Sequence, residues 1–482
     1  VGARQLFTHQ VVKQQFIMYP SSTLDEQFLP KFTLCVLVTQ FGKTFTAIEH
    51  IKKGVNKNAV NFIFTMNTFL NNEQFANRLH VIEDEYGPGS VVIFSSKYEG
   101  TYKHVRTKNQ VYKLCSDEST CPKVVLMCSN KRRFEDSHNI INRLDESKSF
   151  SKKLNLYYDE LHMYISKFVR SQIEVIHDMD IVSNIVGLTA SPSKIIKNNG
   201  RWNRTRIMRI DNYDSEDYVS VNDMRFVNIN DYFEHPYIRL NPFTPGYYDK
   251  MDGETIGFIR RVLTNNPHIL GTESRTFIPG HIRRIGHTEI RDYVMELNPR
   301  TVVVTLNSDK KAIEYMREGE LKSISLIDTT NNKEVSEKIA EIVLTKFKNN
   351  RPLVITGYLC IGTGQTLMHE SLGSFTSAII GHMDLTNDKI YQLFGRLTGR
   401  MKNWNTYTKT TVYCTNVVMN RCKMMEKLAM NTTLKHNGKM LDKHDYFEPL
   451  SEASSTTENH TVDEYSDECE SVLQNFRQHE LV

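Results

Sequence analysis

Thr33-Leu-Cys-Val-Leu-Val-Thr-Gln-Phe-Gly42-Lys43-Thr44 begins as an apolar run of strand length and ends in a glycine turn; residues 44–53 then carry the spacing of an amphipathic helix. A strand, a tight turn and a helix N-terminus make an anion cradle, because free backbone N–H groups and the positive end of the helix dipole face the ligand. In that reading Gly42 makes the turn. Lys43 reaches the β- and γ-phosphates of a nucleotide, and the Thr44 hydroxyl holds Mg²⁺. The full phosphate-loop pattern wants glycine at position 37, where this chain has Leu37. The same residues also read as an ordinary strand-to-helix turn with an exposed lysine.

Outward from this segment, short β-branched runs recur at 61–65, 91–94, 124–127, 154–158 and 185–189, separated by mixed stretches such as 72–82. Strand–helix alternation predicts a parallel sheet covered by helices. Near-continuous apolar strands agree, since such strands are buried on both faces. The pattern weakens from about 195 to 270, where Pro236, Pro242 and Pro245 interrupt any element. It resumes with candidate strands at 275–278, 301–306, 323–327, 353–356, 377–380 and 410–414 and a helix at 336–348. The expected fold is α/β, with two tandem domains, each a parallel sheet covered by helices. The expected spans are 1–212 and 213–448, with the junction near 210–250, followed by a tail at 449–482.

That tail is rich in Ser, Thr and Glu and is expected to be disordered. It holds eight acids and one base from 450 onward, so the rest of the chain carries +11 although the whole carries only +4. A basic body suits a polyanionic partner. The eight cysteines form no C-x-x-C pair, which suggests neither a zinc site nor a disulfide framework and points to a reducing, intracellular setting. No apolar run approaches the roughly 20 residues of a membrane span. The N-terminus shows no basic-then-apolar leader. The sequence opens on Val1, so it is expected to be a piece of a longer chain.

Chemistry gathers at three further places. The run Leu154-Asn-Leu-Tyr-Tyr158-Asp159-Glu160-Leu161-His162 ends a strand in two carboxylates, and sites in parallel sheets lie at the carboxyl ends of strands. Asp159 is then placed to hold Mg²⁺, and Glu160 to deprotonate a water. Gly187-Leu-Thr189-Ala190-Ser191-Pro192 puts two hydroxyls at another strand end, suited to coupling the nucleotide site to the second domain. Gln392-Leu-Phe-Gly395-Arg396-Leu-Thr-Gly399-Arg400 offers two arginines suited to a phosphate undergoing transfer.

In this order, G-K-T, D-E-L-H, T-A-S and Q-x-x-G-R resemble motifs I, II, III and VI of the superfamily 2 (DExH-box) helicases. The resemblance runs from about residue 4 to 425. Segment 64–68 (Phe64-Thr65-Met66-Asn67-Thr68) resembles motif Ia, and 125–130, ending in Ser129-Asn130, resembles the next nucleic-acid-facing motif. Segment 301–306, with Thr305, resembles motif IV. Gly362-Thr-Gly364-Gln365-Thr366 resembles motif V, and His9-Gln10 the upstream motif whose Gln reads adenine. Segments 64–75 and 277–284 and the spacing from Gln392 to Gly399 look most like helicases of giant DNA viruses and related mobile elements.

The resemblance implies two RecA-like domains and an ATP-dependent helicase or translocase, with ATP and Mg²⁺ held between them. Catalysis would fall to Glu160, Asp159, Gln392, Arg396 and Arg400. ATP would be bound by Gln10, Gly42, Lys43, Thr44 and Gly364. His162, Thr189 and Ser191 would couple the domains, and Thr65, Asn67, Thr68, Ser129, Asn130 and Thr305 would face the nucleic acid. The implied partners are single-stranded or partly duplex DNA or RNA and replication or transcription proteins, with no membrane. The implied setting is host cytoplasm or nucleus, or a virion. A transcription-linked ATPase without strand separation and a hydrolysis-dead scaffold are the alternatives. Two departures bear on them. Gln40 stands where helicases prefer glycine, and Arg400 lies eight residues after Gln392, where seven is usual. Arg396 is therefore the safer candidate for the arginine finger.

Overall fold

The computed structural model describes residues 28–66, 69–98, 100–147, 150–196, 200–210, 216–229, 245–307, 309–326, 333–357, 367–381 and 385–446. Gln10, Asn67, Thr68, Gly364 and the tail 449–482 lie outside the described residues.

Among the described residues, two large sheets organise the fold. The nine strands of the first run in the order Met440–Asp442, Arg204–Ile207, Phe28–Val36, Val182–Thr189, Lys153–Tyr158, Ala59–Thr65, Val124–Cys128, Val91–Phe94 and Lys103–Val105. All neighbours are parallel except the first pair. Helices cover this sheet, so the side chains of an inner strand, Ala59–Thr65, are buried along its whole length. The strand Val182–Thr189 lies between Phe28–Val36 and Lys153–Tyr158. Its register sets Val36 opposite Thr189 and Tyr158 opposite Gly187. The carboxyl ends of all three strands therefore stand level, and the phosphate loop, the acid pair and the Thr189 segment emerge side by side.

The second sheet runs Arg225–Asn228, Thr411–Cys414, Ser377–Ile379, Arg275–Phe277, Leu353–Thr356, Val302–Leu306, Lys311–Arg317 and Glu320–Ser325. Six of these strands are parallel, and the last two fold back as an antiparallel hairpin. The two-residue turn Glu318-Gly319 has positive φ at both positions, 56° and 78°, the backbone sense that matches the strand twist in tight hairpins. The expected parallel sheet covered by helices is present, and this antiparallel hairpin extends it at one edge. Together the two sheets, each covered by helices, make an α/β fold of two tandem units.

Two connections tie the halves together. Tyr218–Val219, on the crossing from the first sheet, pairs antiparallel with Gly399–Arg400. The helix Asn416–His436 leaves the second sheet and returns to the first, where the Thr433 hydroxyl bonds the Val36 carbonyl and the strand Met440–Asp442 joins the sheet edge. Among the described residues, no helix is long and apolar enough to cross a membrane.

Candidate active site between the two sheets

The helix Lys43–Asn56 starts after Gly42 (φ 120°) without a side-chain cap and without an acid in its first turn. Its first N–H groups and its dipole therefore stay available to an anion. Lys43 is buried, which sets aside the exposed-lysine reading, and its Nζ lies 3.3 Å from Glu160 Oε1. Glu160 adopts a left-handed backbone (φ 50°) as its strand turns into the short helix Leu161–Met163. Gln40 does the same in the phosphate loop (φ 58°). Each costs of order 1–3 kcal/mol, and such strain concentrates where a side chain must be aimed.

Burial works to raise the Glu160 carboxyl pKa, but Lys43, His162 and Arg396 outweigh it and hold that pKa below the usual value. For Asp159 the balance is reversed. Burial, then the Glu160 charge, hold its carboxyl above the usual range, against the opposing pull of Lys43 and Arg78. Two adjacent acids thus differ in proton affinity.

Behind them a polar chain crosses between the halves. Gln392 Nε2 lies 3.5 Å from His162 Nε2, and His162 Nδ1 lies 2.9 Å from Thr189 Oγ1 and 3.6 Å from Glu160 Oε2. The Ser191 N–H donates to Thr189 Oγ1 at 2.9 Å. Burial lowers His162 to about 4, so the ring is neutral. With Nε2 accepting from Gln392, the proton sits on Nδ1 and is donated to Thr189. Three buried oxygens here, Glu160 Oε2, Ser191 Oγ and Gln392 Oε1, have no hydrogen-bond partner among the described residues.

The helix Asn387–Phe394 delivers Gln392 and, one turn on, Arg396. Arg396 is buried and donates from Nε to the Gln392 carbonyl at 3.5 Å. Burial lowers its pKa to about 10, with Glu160 pulling it back up, so it remains a cation near neutral pH. Arg400 is elsewhere: it is exposed, pairs with Asp217 at 3.2 Å and lies over the Phe41 ring. Gly399 (φ 138°) turns the chain so that Arg400 runs along the outside of the phosphate loop, with Nε donating to the Phe41 carbonyl.

The loop is held from the second half. Tyr391 OH receives the Thr39 N–H, while Tyr218 OH and Thr398 Oγ1 donate to the Thr39 carbonyl at 2.8 and 3.2 Å. Gly395 packs so close that a Cβ there would stand 2.7 Å from Thr39 Cβ. Thr44 Oγ1 receives a hydrogen bond from Arg78, a residue the sequence reading missed. No local motif marks Arg78; it enters through its position at the end of the helix Phe69–Arg78.

The residues proposed to face nucleic acid are placed differently. Thr65 is buried and its hydroxyl bonds Asn72. Asn130 caps the helix Lys131–Asp145 by accepting the Arg133 N–H. Thr305 is buried with its hydroxyl donated to Glu314 at 2.9 Å. Ser129 is buried, and its N–H donates to the Thr65 carbonyl.

The donor set fits phosphates and a dication. It combines an uncapped helix N-terminus, a buried lysine, a hydroxyl and a carboxylate that share Arg78 as a neighbour, and a second carboxylate with an unpartnered oxygen.

No protein-family model matches the sequence, and no curated protein matches it. Several solved structures are similar to this chain at low identity. The NS3-like helicase from Alongshan virus is 11% identical with a TM-score of 0.39, covering 80% of this chain and 72% of that one. S. cerevisiae Dbp5 bound to RNA and ADP BeF3 is 9% identical with a TM-score of 0.42, covering 88% of each. Escherichia coli DEAH/RHA helicase HrpB is 9% identical with a TM-score of 0.43, covering 83% of this chain and 44% of that one.

Proposed function

We propose that this chain is a nucleic-acid-dependent ATPase of the helicase or translocase type, with ATP and Mg²⁺ held between two units, 1–212 and 213–448. One observation carries the reading: Lys43 and Glu160 from the first sheet are buried as an ion pair, and Arg396 from the second acts on the same carboxylate.

Lys43, Thr44, Gly42 and Asp159 would hold the nucleotide and its cation. The bound Mg²⁺ supplies charge neutralisation to the transferring phosphoryl group. Lys43 keeps Glu160 ionised through Oε1, which leaves Oε2 to take the proton of an attacking water. Arg396 brings positive charge from the second unit and needs no protonation step, since its pKa stays far above neutral. The Gln392–His162–Thr189–Ser191 chain makes this geometry depend on how the units sit. That is what couples turnover to a bound strand.

The partner is a single strand of DNA or RNA, bound mainly through its phosphates by the basic body, so affinity falls with salt. Gln10, Asn67, Thr68 and Gly364 keep the roles that the motif likeness implies. The finer likeness to helicases of giant DNA viruses rests on the segments quoted above. ATP turnover, measured with and without single-stranded DNA or RNA, tests the reading. A rise with the strand, lost in Lys43→Ala, is expected. Turnover that ignores every strand offered contradicts it.

A further inference from the structure

Arg78 spans the two halves. Its guanidinium donates to Thr44 Oγ1 at 3.2 Å and pairs through Nε with Glu334 Oε1 at 3.1 Å. Glu334 is a fixed point: as N-cap of the helix Val335–Phe347 its carboxylate also receives the Glu337 N–H, and its own N–H donates to Glu337 at 3.2 Å. Both partners of the Arg78–Glu334 pair keep about a third of their surface exposed, so the pair adds little to stability. Its position is what sets it apart. Arg78 donates to the hydroxyl that a cation would need and also acts electrostatically on Asp159.

We propose that Arg78 competes with the divalent cation for the Thr44–Asp159 locus, and that Glu334 of the second unit sets the outcome by drawing Arg78 away. The proposal rests on the nucleotide site described under Proposed function. A guanidinium and a dication repel at close range, and both seek the same oxygens. When the cation takes the Thr44 hydroxyl, Arg78 must give up that bond, and the Glu334 carboxylate remains to hold its charge. If the second unit moves away, Glu334 goes with it and Arg78 leans back on Thr44 and Asp159. Cation affinity is thereby tied to the approach of the two units, through a residue that need not touch the nucleotide.

The test is Mn²⁺ binding to the full chain, followed by electron paramagnetic resonance in the presence of ADP. Arg78→Gln removes the competitor and should tighten Mn²⁺ by roughly threefold to tenfold, the order expected from one nearby charge in a partly solvated site. Glu334→Gln frees Arg78 to compete and should weaken Mn²⁺ by a similar factor. The double variant should match Arg78→Gln. Opposite signs cannot come from a general loss of structure, and Glu334→Gln tests the idea even if Arg78→Gln folds poorly. Unchanged affinity in both variants, or shifts of the same sign, overturns the proposal. Failure of the underlying reading looks different: wild-type Mn²⁺ affinity would then be indifferent both to ADP and to Asp159→Asn.

Discussion

In the cleft, Glu160, Ser191 and Gln392 each hold a buried oxygen without a hydrogen-bond partner among the described residues; at the ends of neighbouring strands, the polar groups of Thr65, Asn130 and Thr305 are all engaged. Buried polar atoms are nearly always paired, so three unpaired oxygens around one histidine mark a place organised for something other than the fold. The engaged groups serve the fold. A threonine or asparagine at a strand end serves capping and packing as readily as ligand binding, and spacing along the chain does not separate the two.

The sharpest way to break this contrast is through the two arginines. Arg396→Ala should lower strand-stimulated ATP turnover by about 10³-fold or more, the usual scale for a lost arginine finger. Arg400→Ala removes an exposed pair with Asp217, worth ~0–1 kcal/mol, together with the contacts to the Phe41 ring and carbonyl, and should cost less than about fivefold. A larger loss at Arg400 would move the working arginine to the outside of the phosphate loop.

Next in size is Gly399→Ala. A side chain at φ 138° costs of order 1–3 kcal/mol, and the new Cβ would approach Gln40 Cβ to 3.4 Å. The thermal midpoint should fall by several degrees, with turnover falling too because the second unit holds the loop through this segment. An unshifted midpoint would show that the loop does not depend on that contact.

A smaller effect follows from Asp159. A carboxyl held above its ordinary pKa in the fold stabilises that fold at low pH and loses the contribution as pH rises through the raised value. Melting curves without divalent cation, compared between wild type and Asp159→Asn, isolate this group. The variant should gain relative stability as pH climbs from about 4 toward neutral, since its amide has no charge to bury. A difference that stays flat across that range contradicts the placement of Asp159.

The smallest effect belongs to the engaged set. Asn130→Ala should cost about 1 kcal/mol of stability as a lost helix cap and leave strand affinity nearly unchanged. A fall in affinity with an unchanged melting point would return Asn130 to the nucleic-acid face.

Much of the first sheet was legible because most of its inner strands are largely apolar. Val91–Phe94 falls where the run of β-branched residues predicts it, and Lys153–Tyr158 differs from expectation by one residue. The hairpin strand Lys311–Arg317 was not legible, since Lys311, Glu314 and Arg317 break up its apolar residues and leave neither a continuous apolar run nor a strict alternation. The pairing of Met440–Asp442 with the first sheet depends on a helix that carries the chain back between the halves, and no local pattern encodes it. In the site, G-K-T and D-E-L-H stood out because their chemistry is local. The Lys43–Glu160 pair, the grip on Thr39 and the reach of Arg78 arise from residues far apart in sequence. The left-handed turns at Gln40 and Glu160 carry no glycine to announce them.

The central claim is that one buried carboxylate, served from both units, performs the hydrolytic step. Glu160→Gln tests it most directly, with ATP binding and strand-stimulated phosphate release measured on the same preparation. Binding should persist through Lys43 and the helix N-terminus, while turnover falls by about 10²–10⁴-fold, the scale of a lost general base. Wild-type turnover in Glu160→Gln would contradict the account.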